Sequence, residues 1–201
     1  ESYRDWQESG GFLNRLMQPA PSISSEKSEL SRALMVLGLL FVVHGWAVTL
    51  GWDNGNLPVN EFRQAQTALS TMFIQRDGNY TLAYPTPVLG RPWSVPMEFP
   101  LYQWTVAAIS NVTGWPLIQT GRGVSLACFY GALAAMFPLL GRLGLAPSRR
   151  VIVVGFLLSC PLYIFFTRAF LIETMVLMFS LWFLVTFGRL ITEPSLSRLA
   201  L

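Results

Sequence analysis

This sequence is short of charge. Asp, Glu, Lys and Arg together make up only 12% of its 201 residues, about half the share usual in a soluble domain. The shortage is also uneven, because long stretches carry no Asp, Glu, Lys or Arg at all. With 52% hydrophobic residues, that pattern excludes an ordinary soluble domain and points to a membrane protein. A formal charge of +3 is too small to suggest a nucleic-acid partner, and arginines flanking membrane spans explain it better. There is one histidine, so a site needing several histidine ligands cannot be built from this chain alone. The two cysteines, Cys128 and Cys160, both fall inside apolar runs. They read as small buried residues rather than a disulfide or a metal pair. Residues 1–29 hold no apolar core of the signal-peptide kind. They are expected to form a polar cytoplasmic tail, and the chain itself is expected to be part of a longer protein.

What is present is a set of apolar runs bounded by arginines. ALMVLGLLFVVHGWAVTLGW, between Arg32 and Asp53, is long enough to cross a hydrocarbon core as a helix. His44 inside it reads as a neutral histidine bonded to a neighbouring helix. A second span is expected between Arg122 and Arg142. A third lies between Arg150 and Arg168 with a kink at Pro161. A fourth runs from Thr174 to Gly188 and is short enough to extend past Arg189. The expected fold class is an all-α integral membrane protein, with about four transmembrane helices over residues 30–201. Two amphipathic surface helices belong to the first outer loop, residues 53–100 and just beyond.

That loop concentrates the polar, aromatic and proline residues. Asn60 is placed to cap a helix running to about Gln75. Its apolar stripe is Phe62, Ala65, Leu69, Met72 and Phe73. Arg63, Gln64, Thr67, Ser70 and Thr71 form the opposite arc, expected to face water. Glu61 falls in the first turn, where the helix dipole favours an ionised carboxylate. Pro100 opens a second helix, closed by Gly114, with Leu101, Trp104, Ala108 and Val112 as its apolar face. The basic residues divide into two sets by side. Arg4, Arg15, Lys27, Arg32, Arg142, Arg149, Arg150, Arg189 and Arg198 belong to one, and Arg63, Arg76, Arg91, Arg122 and Arg168 to the other. The positive-inside rule puts the first set in the cytoplasm. The large loop and the Arg168–Glu173 turn then share the outer face.

Three carboxylates gather on that outer side: Glu61, Glu98 and Glu173. Paired carboxylates can divide the work of glycosyl transfer, one taking the proton of an attacking hydroxyl and another holding a metal or a neighbouring base. A phosphate leaving group needs positive charge, which Arg63, Arg122, Arg168 or a bound cation would supply. On charge pattern alone a structural reading is the stronger one, with these groups capping helices and pairing across the interface. A non-enzymatic scaffold subunit or half of a transporter is the alternative function. It is disfavoured because transporters place polar groups near the bilayer midplane, whereas here they gather at one face.

From Asn60 onward the chain resembles the polyprenyl-phosphate-sugar-dependent membrane glycosyltransferases. This is the GT-C superfamily, which includes protein O-mannosyltransferases and the aminoarabinose transferase of lipid A. Three blocks carry the likeness over residues 40–190: N-E-F-R-Q-A-Q-T-A, M-E-F-P-L-Y-Q-W and R-A-F-L-I-E-T. A weaker one is G-R-G-V-S-L. The resemblance implies transfer of a sugar from a polyprenyl-phosphate donor to an acceptor hydroxyl at the outer face, with no nucleotide cofactor. It puts Glu61 and Glu173 at the catalytic acidic positions. Glu98 stands where some members bind a divalent metal. Arg63 and Arg168 would meet the lipid phosphate, and Gln64, Arg122 and Tyr102 are assigned to the same phosphate site. Two departures stand out. Glu61 is a Glu where Asp is commoner, and Phe99 replaces the lysine that commonly follows the second block's glutamate.

Overall fold

The computed structural model describes residues 23–54, 60–87 and 98–192, with the backbone alone at 23–27, 29 and 192. The tail over 1–22, the loop residues Arg91, Pro92, Trp93 and Pro96, and Arg198 lie outside the described residues. Among those described there are seven helices and no strand. They are α1 (Ile23–Thr49), α2 (Glu61–Asp77), α3 (Leu101–Thr113), α4 (Leu117–Arg142), α5 (Pro147–Ser159), α6 (Pro161–Phe166) and α7 (Glu173–Thr192).

Three segments are long and apolar enough to cross a membrane: Leu30–Thr49, Leu117–Arg142 and Glu173–Ile191. α1 begins at Ile23, earlier than the expected span, so the last part of the predicted tail is helical. α4 begins at Leu117 and takes Arg122 into the helix, where it is buried. α7 continues past Arg189. The predicted third span is two pieces, α5 of 13 residues and α6 of 6. Cys160 between them is extended, at φ −72° and ψ 120°. A proline has no N–H to donate and disfavours a helical residue before it. Pro161 therefore breaks the helix outright, where a kink was expected.

α4 and α7 pack most extensively, α5 lies against α1, and α2 lies against α3. Large apolar side chains face outward along the spans, among them Met35, Val42, Trp46, Phe179 and Phe183. In water that surface would be an interaction patch; helices of this length and composition are suited to present it to lipid. Within the bundle, His44 lies 3.0 Å by Nδ1 from the Tyr130 hydroxyl and stacks on Phe129. A core of Phe129, Leu133, Val154 and Leu158 surrounds that pair.

α2 departs from the sequence expectation, because the polar arc expected to face water is buried. In α2, Gln64, Gln66, Thr67, Ser70 and Thr71 are buried, while Phe62, Leu69 and Met72 are exposed. In α3, Tyr102, Gln103, Val106, Ala107 and Ser110 are buried, while Leu101 and Val112 point outward. The buried polar groups are satisfied locally. Thr67 and Thr71 donate to the carbonyls of Arg63 and Thr67, and Gln75 Nε2 donates to Ser110 Oγ at 2.9 Å. Asn60 does occupy the N-cap position, in the left-handed region at φ 57°, but its side chain makes no cap bond. Its carbonyl accepts from the Gln64 N–H at 3.0 Å.

Close approach between α4 and the turn before α7 depends on Gly121. A Cβ there would sit 2.2 Å from Phe170 Cε2, on a ring that is itself buried. Gly121→Val is expected to cost about 1–3 kcal/mol through overpacking, read as a lowered Tm in detergent. Gly123→Ala, where nothing lies within 4 Å, is expected to lose nothing. Equal Tm values for the two variants would show that the Phe170 seat is not tight.

Candidate functional site

The carboxyl end of α1, both surface helices, the start of α4 and the turn before α7 meet at one end of the bundle. Arg122 Nη1 donates to the carbonyls of Gly51 (3.1 Å) and Trp52. Arg168 Nη1 donates to the carbonyls of Ala47 (3.5 Å) and Leu50. The Phe170 N–H donates to Gln64 Oε1 at 3.4 Å, tying α2 to that turn. Ser125 Oγ on α4 donates to the carbonyls of Ala169 and Leu171 at 2.9 and 3.1 Å. Every Asp and Glu whose side chain is described, namely Asp53, Glu61, Asp77, Glu98 and Glu173, belongs to these end segments.

The polar centre of this end is Glu98, just ahead of α3. Arg63 Nη2 lies 2.5 Å from Glu98 Oε2. Gln103 Nε2 donates to Glu98 Oε1 at 2.8 Å. The Tyr84 hydroxyl donates to the Glu98 carbonyl at 3.0 Å, which fixes the backbone that presents the carboxylate. Glu98 is largely buried and Arg63 about a third exposed. Helical spacing explains the geometry. Arg63 lies in the first turn of α2 and Gln103 in the first turn of α3, and these two helices pack on each other. Gln103 Oε1 is buried without a hydrogen-bond donor among the described residues.

The other expected site residues fall into two groups. Glu61, at the first position of α2, and Glu173, at the first position of α7, are exposed carboxylates at helix N-termini. Arg122, Arg168, Gln64 and Tyr102 are engaged within the fold. Tyr102 is 1% exposed, and its hydroxyl donates to the Gly121 carbonyl at 2.8 Å and lies 2.9 Å from Ser125 Oγ. Burial pushes this phenol well above its ordinary range, so it acts as a hydrogen-bond donor and never as a base at working pH. Among the described residues, no three His, Cys, Asp or Glu side chains group to hold a metal. Both Glu98 oxygens are already bonded to Arg63 and Gln103. A divalent cation needs several oxygen ligands together, so these residues do not compose a metal site and no step is routed through one.

An apolar groove of about 240 Å³ opens at Phe99, the residue after Glu98. Phe99 and Leu101 line it from the surface helix side, and Ile172, Met175, Val176 and Phe179 from the α7 side. Phe179, Phe183 and Leu184 continue the apolar track along α7. Gln103 and Tyr84 were not singled out by the sequence reading. A polar residue five positions after Glu98, on a helix otherwise read as apolar, was the only available signal for Gln103. Nothing local marked Tyr84. No family model, curated protein or solved structure matches the chain.

Tyr102→Phe keeps the ring against Phe170 and removes only the hydroxyl. It is expected to lower stability by about 1–2 kcal/mol, the cost of leaving a buried acceptor unpaired, measured by denaturation in mild detergent. Unchanged stability together with weakened binding of a lipid phosphate would instead move Tyr102 into a ligand site.

Proposed function

We propose that the chain is the N-terminal catalytic portion of a membrane glycosyltransferase. It moves a sugar from a polyprenyl-phosphate donor to an acceptor hydroxyl at the outer face of the cell membrane. The observation that carries this reading is the Arg63–Glu98–Gln103 cluster beside an apolar groove that leads down α7. A lipid phosphate has the same two-part chemistry: an anion for an arginine and a long apolar tail for a lipid-facing track. The family resemblance of the three sequence blocks adds to it.

On this reading Glu61 takes the proton of the acceptor hydroxyl. That oxygen attacks the anomeric carbon while the bond from this carbon to the phosphate oxygen breaks, with inversion. The polyprenyl phosphate leaves with the electron pair, and its charge is met by Arg63. Glu98 holds Arg63 until the phosphate arrives. The buried Gln103 Oε1 accepts from a sugar hydroxyl, which satisfies an otherwise unpaired acceptor. Glu173 serves as the second acidic residue on the far side of the groove. Arg122 and Arg168 act indirectly, by holding the end of α1 in place. The contrary reading, a scaffold or transporter half, has no specific feature in its favour: the five carboxylates whose side chains are described sit at one end and not along the spans.

Glu61→Gln in the full-length protein is expected to abolish transfer, by at least 100-fold given the usual worth of a general base, with expression and Tm retained. The assay is release of polyprenyl phosphate from several lipid-linked sugars in the presence of a membrane acceptor extract. Wild-type turnover by this variant would remove Glu61 from the mechanism.

A further inference from the structure

The end of the bundle that holds the amino-terminal turns of α1 carries a feature that sugar transfer does not use. α1 and α5 lie side by side and leave an apolar groove of about 470 Å³ between them. Val36, Leu37 and Leu40 line it from α1, and Ile152, Gly155 and Phe156 from α5. Arg32 stands at one limit of the lining, and Ser159, the last residue of α5, at the other.

Its length matches one leaflet. From Arg32 to Leu40 is eight helical steps, about 12 Å at 1.5 Å per residue. Half a hydrocarbon core is about 15 Å. The apolar segment of α1 runs from Leu30 to Thr49, so Leu40 lies at its middle and Arg32 at its rim. On the α5 side the lining ends at Ser159, just before the break at Cys160–Pro161. The groove therefore reaches from headgroup level to mid-bilayer and stops.

The mouth of the groove carries positive charge. Arg32 is exposed, and its Nη2 donates to Ser28 Oγ at 3.1 Å. Among the described residues no carboxylate pairs with it, and the five described Asp and Glu side chains all belong to the opposite end. Arg149, also exposed, lies two residues before the groove residue Val151. Bulk lipid tails are as apolar as the groove wall, so tail contact alone gives no preference for one lipid over another. Selectivity has to come from the headgroup, and a guanidinium at phosphate depth favours an anionic one.

We propose that the α1–α5 groove holds one anionic phospholipid of the leaflet at the basic end, with an acyl chain against Val36, Leu40 and Phe156 and its phosphate on Arg32. This site is independent of the transferase reading.

The test uses the whole chain in nanodiscs of mixed phosphatidylglycerol and phosphatidylcholine, extracted into detergent, with retained lipid counted by native mass spectrometry. One retained lipid per chain is expected, enriched about fivefold in phosphatidylglycerol over the nanodisc ratio, which corresponds to ~1 kcal/mol for one basic residue. Arg32→Gln is expected to remove the enrichment and keep the lipid. Val36→Trp, at an exposed position, is expected to lower occupancy by filling the groove. Arg189→Gln, outside the groove, is expected to change neither. No enrichment in the wild type would overturn the proposal, as would equal loss in the Arg32 and Arg189 variants, which marks a bulk charge effect. A dimer mass with no retained lipid would overturn it as well, by assigning the groove to a second copy.

Discussion

The carboxyl end of α1 is the constraint on which the site end of the molecule depends. The last carbonyls of a helix have no partner within it. Here Arg122 and Arg168 reach the carbonyl of Ala47 in the last turn of α1 and those of Leu50, Gly51 and Trp52 just beyond it, from segments 70 to 121 residues away in sequence. Two cations at a helix carboxyl end also sit where the helix dipole is negative. The consequence is geometric. α4 and the turn before α7 are each locked to the end of α1, and Ser125 and Tyr102 then tie α3 and α4 to the same turn. The surface helices inherit their position from that frame.

α2 buries the arc that its sequence offered to water. Its glutamines and threonines turn inward, while Phe62, Leu69 and Met72 stay outside. A stripe facing lipid would have nothing to gain from turning in. The small polar residues pack the interior instead. Thr67 and Thr71 fold their hydroxyls onto carbonyls of their own helix, which removes the cost of burying them. Small side chains also let α2 and α3 approach closely enough for Gln75 to reach Ser110.

The spans were legible in the sequence because charge-free runs bounded by arginines have one physical meaning. Their count was less legible: length and hydropathy over 150–168 looked continuous, and only the stereochemistry of Pro161 decides that the helix is broken. The helix limits at Glu61, Pro100 and Gly114 could be read from residue chemistry to within a position or two. The partners of the arginines could not. Arg122 and Arg168 look like any surface cation to a reading that sees only local sequence, and their bonds to the end of α1 depend on three-dimensional closure. Glu98 stood out as a carboxylate in an apolar, proline-bounded stretch. Its dependence on Gln103 and Tyr84 did not, since one is a lone polar residue on a helix read by its apolar face and the other lies in a loop without periodicity.

The Glu98–Arg63 pair sets a condition on any anion that enters the site. A guanidinium at the edge of a low-dielectric region holds its position only with a counter-charge, and Glu98 provides it at 2.5 Å. A phosphate approaching Arg63 must therefore compete with a carboxylate that Gln103 orients and that Tyr84 holds by its backbone. That competition is weakest on the exposed side of Arg63 and strongest toward the buried Glu98. An anion that shares the arginine leaves Glu98 with one bonded amide and one freed oxygen beside the groove wall at Phe99. Desolvating that oxygen is costly unless a hydroxyl or a second donor meets it. Under the proposed function, a ligand that brings hydroxyl groups along with its phosphate would be favoured over a bare anion, and a sugar phosphate carried on an apolar tail would be such a ligand.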